Sequence, residues 1–182
     1  AVPVTPQFAV YRPSTNKYFV DYNFDHVADL KQGFGAPGDI GLAGRFDVDS
    51  YSDFVLYRNG AWFADTNRDG TANFVTSFGG VPGDIPLLAD FDGDGRDDLV
   101  IYRAGRWYVS TARNNVANFV YGFGGVPGDV PLAGDVTGIG LVALVIYRNG
   151  TWYIDTNRDG MADVIVRFGG LPGDIPDRKS VV

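Results

Sequence analysis

The sequence predicts an all-β fold of β-propeller type, with four blades of four antiparallel strands, and three observations predict it. First, a unit of about 45 residues recurs without drift. The tyrosine of a Tyr-Arg pair falls at Tyr11, Tyr57, Tyr102 and Tyr147, stepping by 46, 45 and 45 residues. The phenylalanine of a Phe-Gly-(Gly/Ala)-x-Pro-Gly-Asp motif falls at Phe34, Phe78, Phe123 and Phe168. A fixed period in that range marks stacked or radial repeat architectures. Second, the composition suits short strands and many turns: 25 Gly and 10 Pro in 182 residues, with 14% aromatics. Third, the two ends of the sequence read as two pieces of one broken unit.

The unit at 79–123 justifies the strands in order. Residues 85–90 are a short apolar run entering Asp90-Phe91-Asp92-Gly93-Asp94-Gly95-Arg96-Asp97-Asp98, which is turn chemistry. Residues 99–103 are β-branched and aromatic, and Ala104-Gly105 turns the chain. Residues 106–111 carry Trp107 and Tyr108, and 118–123 form the fourth run. Strands this short, joined by tight hairpins, make a meander. Runs such as Leu99-Val100-Ile101-Tyr102 are apolar on both alternating faces, so both faces of the sheet are expected to be covered.

The division that follows is one domain over 1–182. It holds full units at 35–78, 79–123 and 124–168, with partial units at 8–34 and 169–182. Residues 8–12, 18–21 and 29–34 supply strands two to four of a first blade. Residues 169–176 repeat the lead-in to a strand one. Pairing the C-terminal piece with the N-terminal one completes four blades and removes two raw sheet edges. Asp177-Arg178-Lys179 departs from the apolar strand one of earlier units, leaving 180–182 as the candidate closing strand.

The charge narrows the partners. A formal net charge of −7 offers no basic stripe for phosphate, so nucleic acid is not an expected partner, whereas cations are. With no cysteine there is no disulfide, thiolate metal site or thiol nucleophile. No apolar run nears the ~20 residues that span a bilayer, so membrane insertion is not expected. Ala1-Val2-Pro3 suits a mature start after cleavage behind a small residue, and secretion or display at the cell surface is the expectation.

Acidic loops carry the sharpest chemical signal. Asp90, Asp92, Asp94 and Asp98 occupy positions 1, 3, 5 and 9 of a turn, with Gly95 at 6 and the carbonyl of Arg96 at 7. That pattern wraps a hard cation such as Ca2+, which takes about six to eight oxygens. The equivalent loop of the preceding unit puts Arg45 at position 1, leaving Asp47, Asp49 and Asp53, with its guanidinium expected to stand in for an ion. The following unit keeps Asp135 but has Thr137, Ile139 and Ala143, and no metal is expected there.

The loops between strands three and four share the spacing. They read Asp65, Asn67, Asp69, Thr71, Asn73 and Asp155, Asn157, Asp159, Met161, Asp163, with Asp21, Asn23, Asp25, Val27, Asp29 in the first blade. His26 holds the usual glycine position of that last loop. The third copy, from Ser110, keeps only Asn114 and Asn118. An ion-free alternative reads all these loops as Asx turns. A second accepts calcium as a purely structural clamp on hairpins.

These residues resemble the FG-GAP (integrin α-like) repeats and related bacterial repeats. The resemblance rests on Phe78-Gly79-Gly80, Pro82-Gly83-Asp84, the Asp90–Asp98 loop, Val100-Ile101-Tyr102-Arg103 and Trp107-Tyr108, and extends over nearly the whole sequence. It implies a calcium-stabilised propeller whose ion sits in the strand one–two loop, carried over in full to Asp90, Asp92, Asp94 and Asp98. It also implies extracellular adhesion, ligand binding or carbohydrate recognition. Four blades depart from that family's more usual seven.

Other repeated residues have two readings. Trp62, Trp107 and Trp152, with Tyr18 in register, can stack on sugars but more commonly pack between blades. Arg12, Arg58, Arg103 and Arg148 can line a binding face or pair with Asp39, Asp84, Asp129 and Asp174. The hairpin geometry puts these arginines opposite the acidic loops, on the face favoured for a ligand. A single histidine and no nucleophile motif argue against catalysis. The expected protein is a non-catalytic calcium-binding propeller that recognises a glycan or a cell-surface protein. The alternative is a structural subunit of a filament or oligomer, self-associating by strand exchange.

Overall fold

The computed structural model describes residues 8–49 and 51–176. Its regular elements are all strands, and no helix of the described residues is long and apolar enough to cross a membrane. The strands form four antiparallel meanders with the topology of propeller blades. These divide into two compact units.

The first unit holds two sheets. One consists of β1 (Phe8–Arg12), β2 (Lys17–Asp21) and β3 (Leu30–Gly33) in that order. The other runs β4 (Ile40–Gly44), β5 (Asp53–Arg58), β6 (Ala61–Asp65) and β7 (Phe74–Ser77). The first sheet thus has strands two to four of a blade. The closing strand expected from 180–182 lies outside the described residues.

The second unit also holds two sheets. The third blade is β8 (Ile85–Ala89), β9 (Asp98–Arg103), β10 (Arg106–Ser110) and β11 (Phe119–Gly122). The fourth is β12 (Val130–Gly134), β13 (Ala143–Arg148), β14 (Thr151–Asp155) and β15 (Val164–Arg167).

Strand two of each full blade is buried along nearly its whole length, as its continuous apolar run requires. Register pairs the repeated tyrosine with the repeated tryptophan: Tyr57 with Trp62, Tyr102 with Trp107, Tyr147 with Trp152. Each pair meets edge to face at 5.0 Å, a geometry that adds to area burial. The indole N–H then donates to the carbonyl of the Phe-Gly-Gly phenylalanine, Trp62 to Phe78 and Trp107 to Phe123, each at 2.9 Å. Trp62 and Trp107 are fully buried, so they are core residues and offer no platform to a sugar.

The two–three turns hold their first residue at positive φ, Asn59 at 47° and Ala104 at 45°, followed by Gly60 and Gly105. A Cβ on Gly105 would lie 2.8 Å from both the Gly124 carbonyl oxygen and the Gly125 Cα. The motif glycines therefore let two loops of one blade touch backbone to backbone.

Packing between blades follows one rule inside each unit. In the first, Tyr18, Val20 and Phe34 pack on Phe54 and Leu56 of β5. Tyr18 also donates its hydroxyl to the Val55 carbonyl at 2.8 Å. In the second, Trp107, Val109 and Phe123 pack with Leu144 and Ile146 of β13.

Candidate metal centres

Two strand one–two loops gather carboxylates, and both end on a carboxylate with no exposure at all. Asp53 opens β5 and Asp98 opens β9, and each is completely buried. The Oδ2 of Asp98 accepts the Phe91 N–H at 2.8 Å, and the Oδ2 of Asp53 accepts the Phe46 N–H at 2.9 Å. The second oxygen, Oδ1 in both residues, is buried with no hydrogen-bond partner among the described residues. Burial pushes both carboxyls up to about 7. The neighbouring acids, Asp47 beside Asp53 and Asp92 and Asp90 beside Asp98, push the same way.

Around these residues the loops close on themselves. Asp90 Oδ1 accepts the Gly93 N–H at 2.7 Å, and Asp92 Oδ1 the Asp94 N–H at 3.1 Å. Asp47 Oδ1 accepts the Asp49 N–H, and Asp49 Oδ1 the Tyr51 N–H, both at 2.8 Å. Ligand atoms of Asp90, Asp92 and Asp98 all lie within 4.8 Å of one another, and so do those of Asp47, Asp49 and Asp53. An all-oxygen donor set of this kind suits a hard divalent cation. An orphaned, desolvated carboxylate oxygen is the atom such an ion would satisfy.

The fourth blade supplies an internal comparison. Its residue in the position of Asp53 and Asp98 is Ala143, which is also buried. The strand therefore folds without a carboxylate there. Asp135, at the start of that loop, accepts the N–H groups of Gly140, Gly138 and Thr137 at 2.6 to 3.0 Å. Those bonds, Gly140's first, hold its carboxyl below the usual range.

The strand three–four loops are organised differently. Position 9 accepts the N–H of position 2 in every blade: Asp29 from Tyr22, Asn73 from Thr66, Asn118 from Thr111 and Asp163 from Thr156. Position 1 binds its own turn. Asp21 Oδ2 accepts the His26 N–H, Asp65 Oδ2 that of Gly70, and Asp155 Oδ2 that of Gly160, at 2.7 to 3.0 Å. Asp25, Asp69 and Asp159 accept from Val27, Thr71 and Met161, each at 2.8 Å. Asn23, Asn67 and Asn157 donate to Asp25, Asp69 and Asp159. His26 takes φ 70°, so histidine does hold the left-handed glycine position. Among the described residues, the carboxylates of these loops form no group of three like those at Asp53 and Asp98.

One set of residues escaped the sequence reading. Arg68, Arg113 and Arg158 hold position 4 of the strand three–four loops at φ 58°, 50° and 63°. Arg68 reaches Asp49 at 3.1 Å, and Arg113 reaches Asp94 at 3.5 Å. Arg158, whose blade has Ile139 in that place, donates to the Val142 carbonyl and stacks on Phe91 instead. The recurrence of arginine at one loop position was the available signal. These contacts also correct the expectation for Arg45. Among the described residues no ion pair joins it to Asp47, Asp49 or Asp53. Its backbone N–H donates to Asp97 at 2.8 Å, which fixes the chain instead of aiming the guanidinium at the acids. Arg68 is the cation beside that loop.

At the other end of each blade the Arg/Asp pairs form as the blander reading has it. Arg58 binds Asp39, Arg103 binds Asp84 and Arg148 binds Asp129 at 2.5 to 2.6 Å. Each guanidinium also lies over an aromatic ring two strands' width of sequence away, Phe63, Tyr108 and Tyr153 respectively. The aspartates do double duty: Asp129 also accepts the N–H groups of Gly125 and Val126.

These features define a protein of propeller blades whose hairpins carry buried-ended acidic loops. No family model matches the sequence, and no curated protein matches it. Two solved structures are similar in fold. A structure titled "BBS1N in complex with ARL6DN, soaked with lead" aligns with TM-score 0.49 at 8% identity, over 89% of this chain and 52% of that one. BamB from Moraxella catarrhalis aligns with TM-score 0.40 at 14% identity, over 92% of this chain and 52% of that one. The chain thus spans about half the length of each.

Proposed function

We propose that this protein is a non-catalytic, exported β-propeller module in which calcium fastens hairpins of a recognition scaffold. The observation that carries the reading is the buried, unpartnered Oδ1 of Asp53 and of Asp98, each inside a group of three carboxylates. Asp90, Asp92 and Asp98, with the Arg96 carbonyl, would hold one ion. Asp47, Asp49 and Asp53 would hold another. Calcium bound there supplies the positive charge that a desolvated carboxylate otherwise lacks, and ties the start of strand two to the loop before it. Ala143 supports this, because an apolar side chain fills the same buried position where the acids have been lost.

The resemblance to FG-GAP repeats points the same way and suggests recognition of a glycan or a cell-surface protein outside the cell. The arginines at the opposite blade end are held by aspartates and rings, which makes them rigid donors. The test is thermal melting and glycan-array binding with calcium and with EDTA, on the wild type and on the Asp53→Asn/Asp98→Asn variant. Calcium should raise the melting temperature of the wild type and leave the variant unmoved. Equal melting of the wild type in calcium and EDTA would end the proposal. Glycan binding indifferent to the ion would confine calcium to a role in stability.

A further inference from the structure

The four blades treat one repeated phenylalanine very unequally. Phe34, Phe78 and Phe123 are 7%, 5% and 8% exposed, whereas Phe168 is 76% exposed. Trp152 is only half-buried where Trp62 and Trp107 are fully buried, and Val164, Ile165 and Val166 of β15 are exposed. The fourth blade therefore shows solvent the face that, inside each unit, the preceding blade presses onto the next.

The first blade shows the reciprocal face. Two alternate strand-two residues receive that contact, Phe54 and Leu56 in the second blade and Leu144 and Ile146 in the fourth. Their counterparts in β1 are Phe8 and Val10, 65% and 60% exposed. The residues in the same register elsewhere are all at 1% or less, Leu99 and Ile101 included.

Charge follows the same division. In three blades an arginine ending strand two binds the aspartate 19 residues before it. Arg12 has no such aspartate, and among the described residues it lies over Phe19 without an ion pair. Asp174 caps the N–H groups of Gly170 and Leu171, and among the described residues it takes no arginine.

We propose that copies of this chain associate head to tail. The face made by Trp152, Ile154 and Phe168 of one copy seats on Phe8 and Val10 of a second, and Asp174 of the first takes Arg12 of the second. The contact continues the packing already present twice within the chain, and both halves are exposed in the single copy. It joins two different surfaces, so it is heterologous and builds closed rings or open filaments. This assembly stands independently of the calcium reading.

The test is sedimentation velocity on the full chain over a wide dilution series. Wild type should show a mass that climbs with concentration. Phe168→Glu keeps the head and loses the tail; Val10→Glu keeps the tail and loses the head. Each alone should stay monomeric, with circular dichroism unchanged because both positions are exposed. Mixed in equal amounts they should form a complex of two copies and stop there. Arg12→Glu should weaken wild-type association at least tenfold. A wild type that is monomeric throughout, or a Phe168→Glu variant that associates as wild type does, would overturn the proposal. So would a monomeric wild type whose melting temperature falls on Phe168→Glu, since the face would then be covered within one chain.

Discussion

Asp98 and Asp53 each bury a carboxylate with one oxygen bonded and the other orphaned, beside further acids. Leaving a buried acceptor unsatisfied costs about 1–3 kcal/mol, and more for a charged group. Asp98→Asn is therefore expected to cost little stability in EDTA, since it removes the charge and keeps the acceptor for Phe91. Calcium affinity at that loop should fall at least tenfold, about 1.4 kcal/mol, read by isothermal titration. Asp39 makes the opposite kind of site. The Arg58 guanidinium, and after it the Ala36 N–H, hold its carboxyl below the usual carboxylate range. A depressed carboxyl contributes stability that is present above its unfolded pKa and is lost as pH falls through its folded value. Acid unfolding of Asp39→Asn should accordingly be flatter below about pH 4. At neutral pH the variant should be less stable by about 1–3 kcal/mol. Denaturant titrations at several pH values check both statements.

At the scale of elements, the tryptophan of strand three and the phenylalanine after strand four decide how a blade packs. Trp107→Ala removes a fully buried indole and its bond to the Phe123 carbonyl, a change that typically costs about 3–5 kcal/mol. Trp152→Ala, in a half-exposed face, should cost clearly less in the same urea titration. Gly105→Ala places a Cβ against the backbone of Gly124 and Gly125 and should destabilise by more than the about 1 kcal/mol of a simple glycine effect. Strand positions were legible because the repeat fixes them: the expected run at 106–111 is β10, and 118–123 contains β11. The Tyr-Arg and Phe-Gly-Gly motifs also gave the pairing of Arg58, Arg103 and Arg148, because turn chemistry and a fixed offset survive in a linear string. What spacing could not separate was the two kinds of acidic loop. Both place acids at positions 1, 3, 5 and 9. Only in the strand one–two loop does position 9 open a buried central strand, so that Asp53 and Asp98 are stripped of solvent. In the other loop Asp29 and Asp163 sit at the exposed start of the fourth strand and simply cap the turn. The role of Arg68 and Arg113 was hidden for a related reason, because it depends on two hairpins of one blade lying side by side.

For the whole molecule, a chain without disulfides gains its cross-links from buried aromatics, Arg/Asp pairs and, on the reading proposed above, calcium. Ions bound to the folded state alone stabilise it by mass action, so the melting temperature should rise steadily with free calcium. The most direct measurement counts the ions. Equilibrium dialysis against calcium, followed by elemental analysis, should find two fewer calcium ions per chain in Asp53→Asn/Asp98→Asn than in the wild type, one for each carboxylate group. Equal calcium in the two proteins, or none in the wild type at millimolar free ion, would contradict the account.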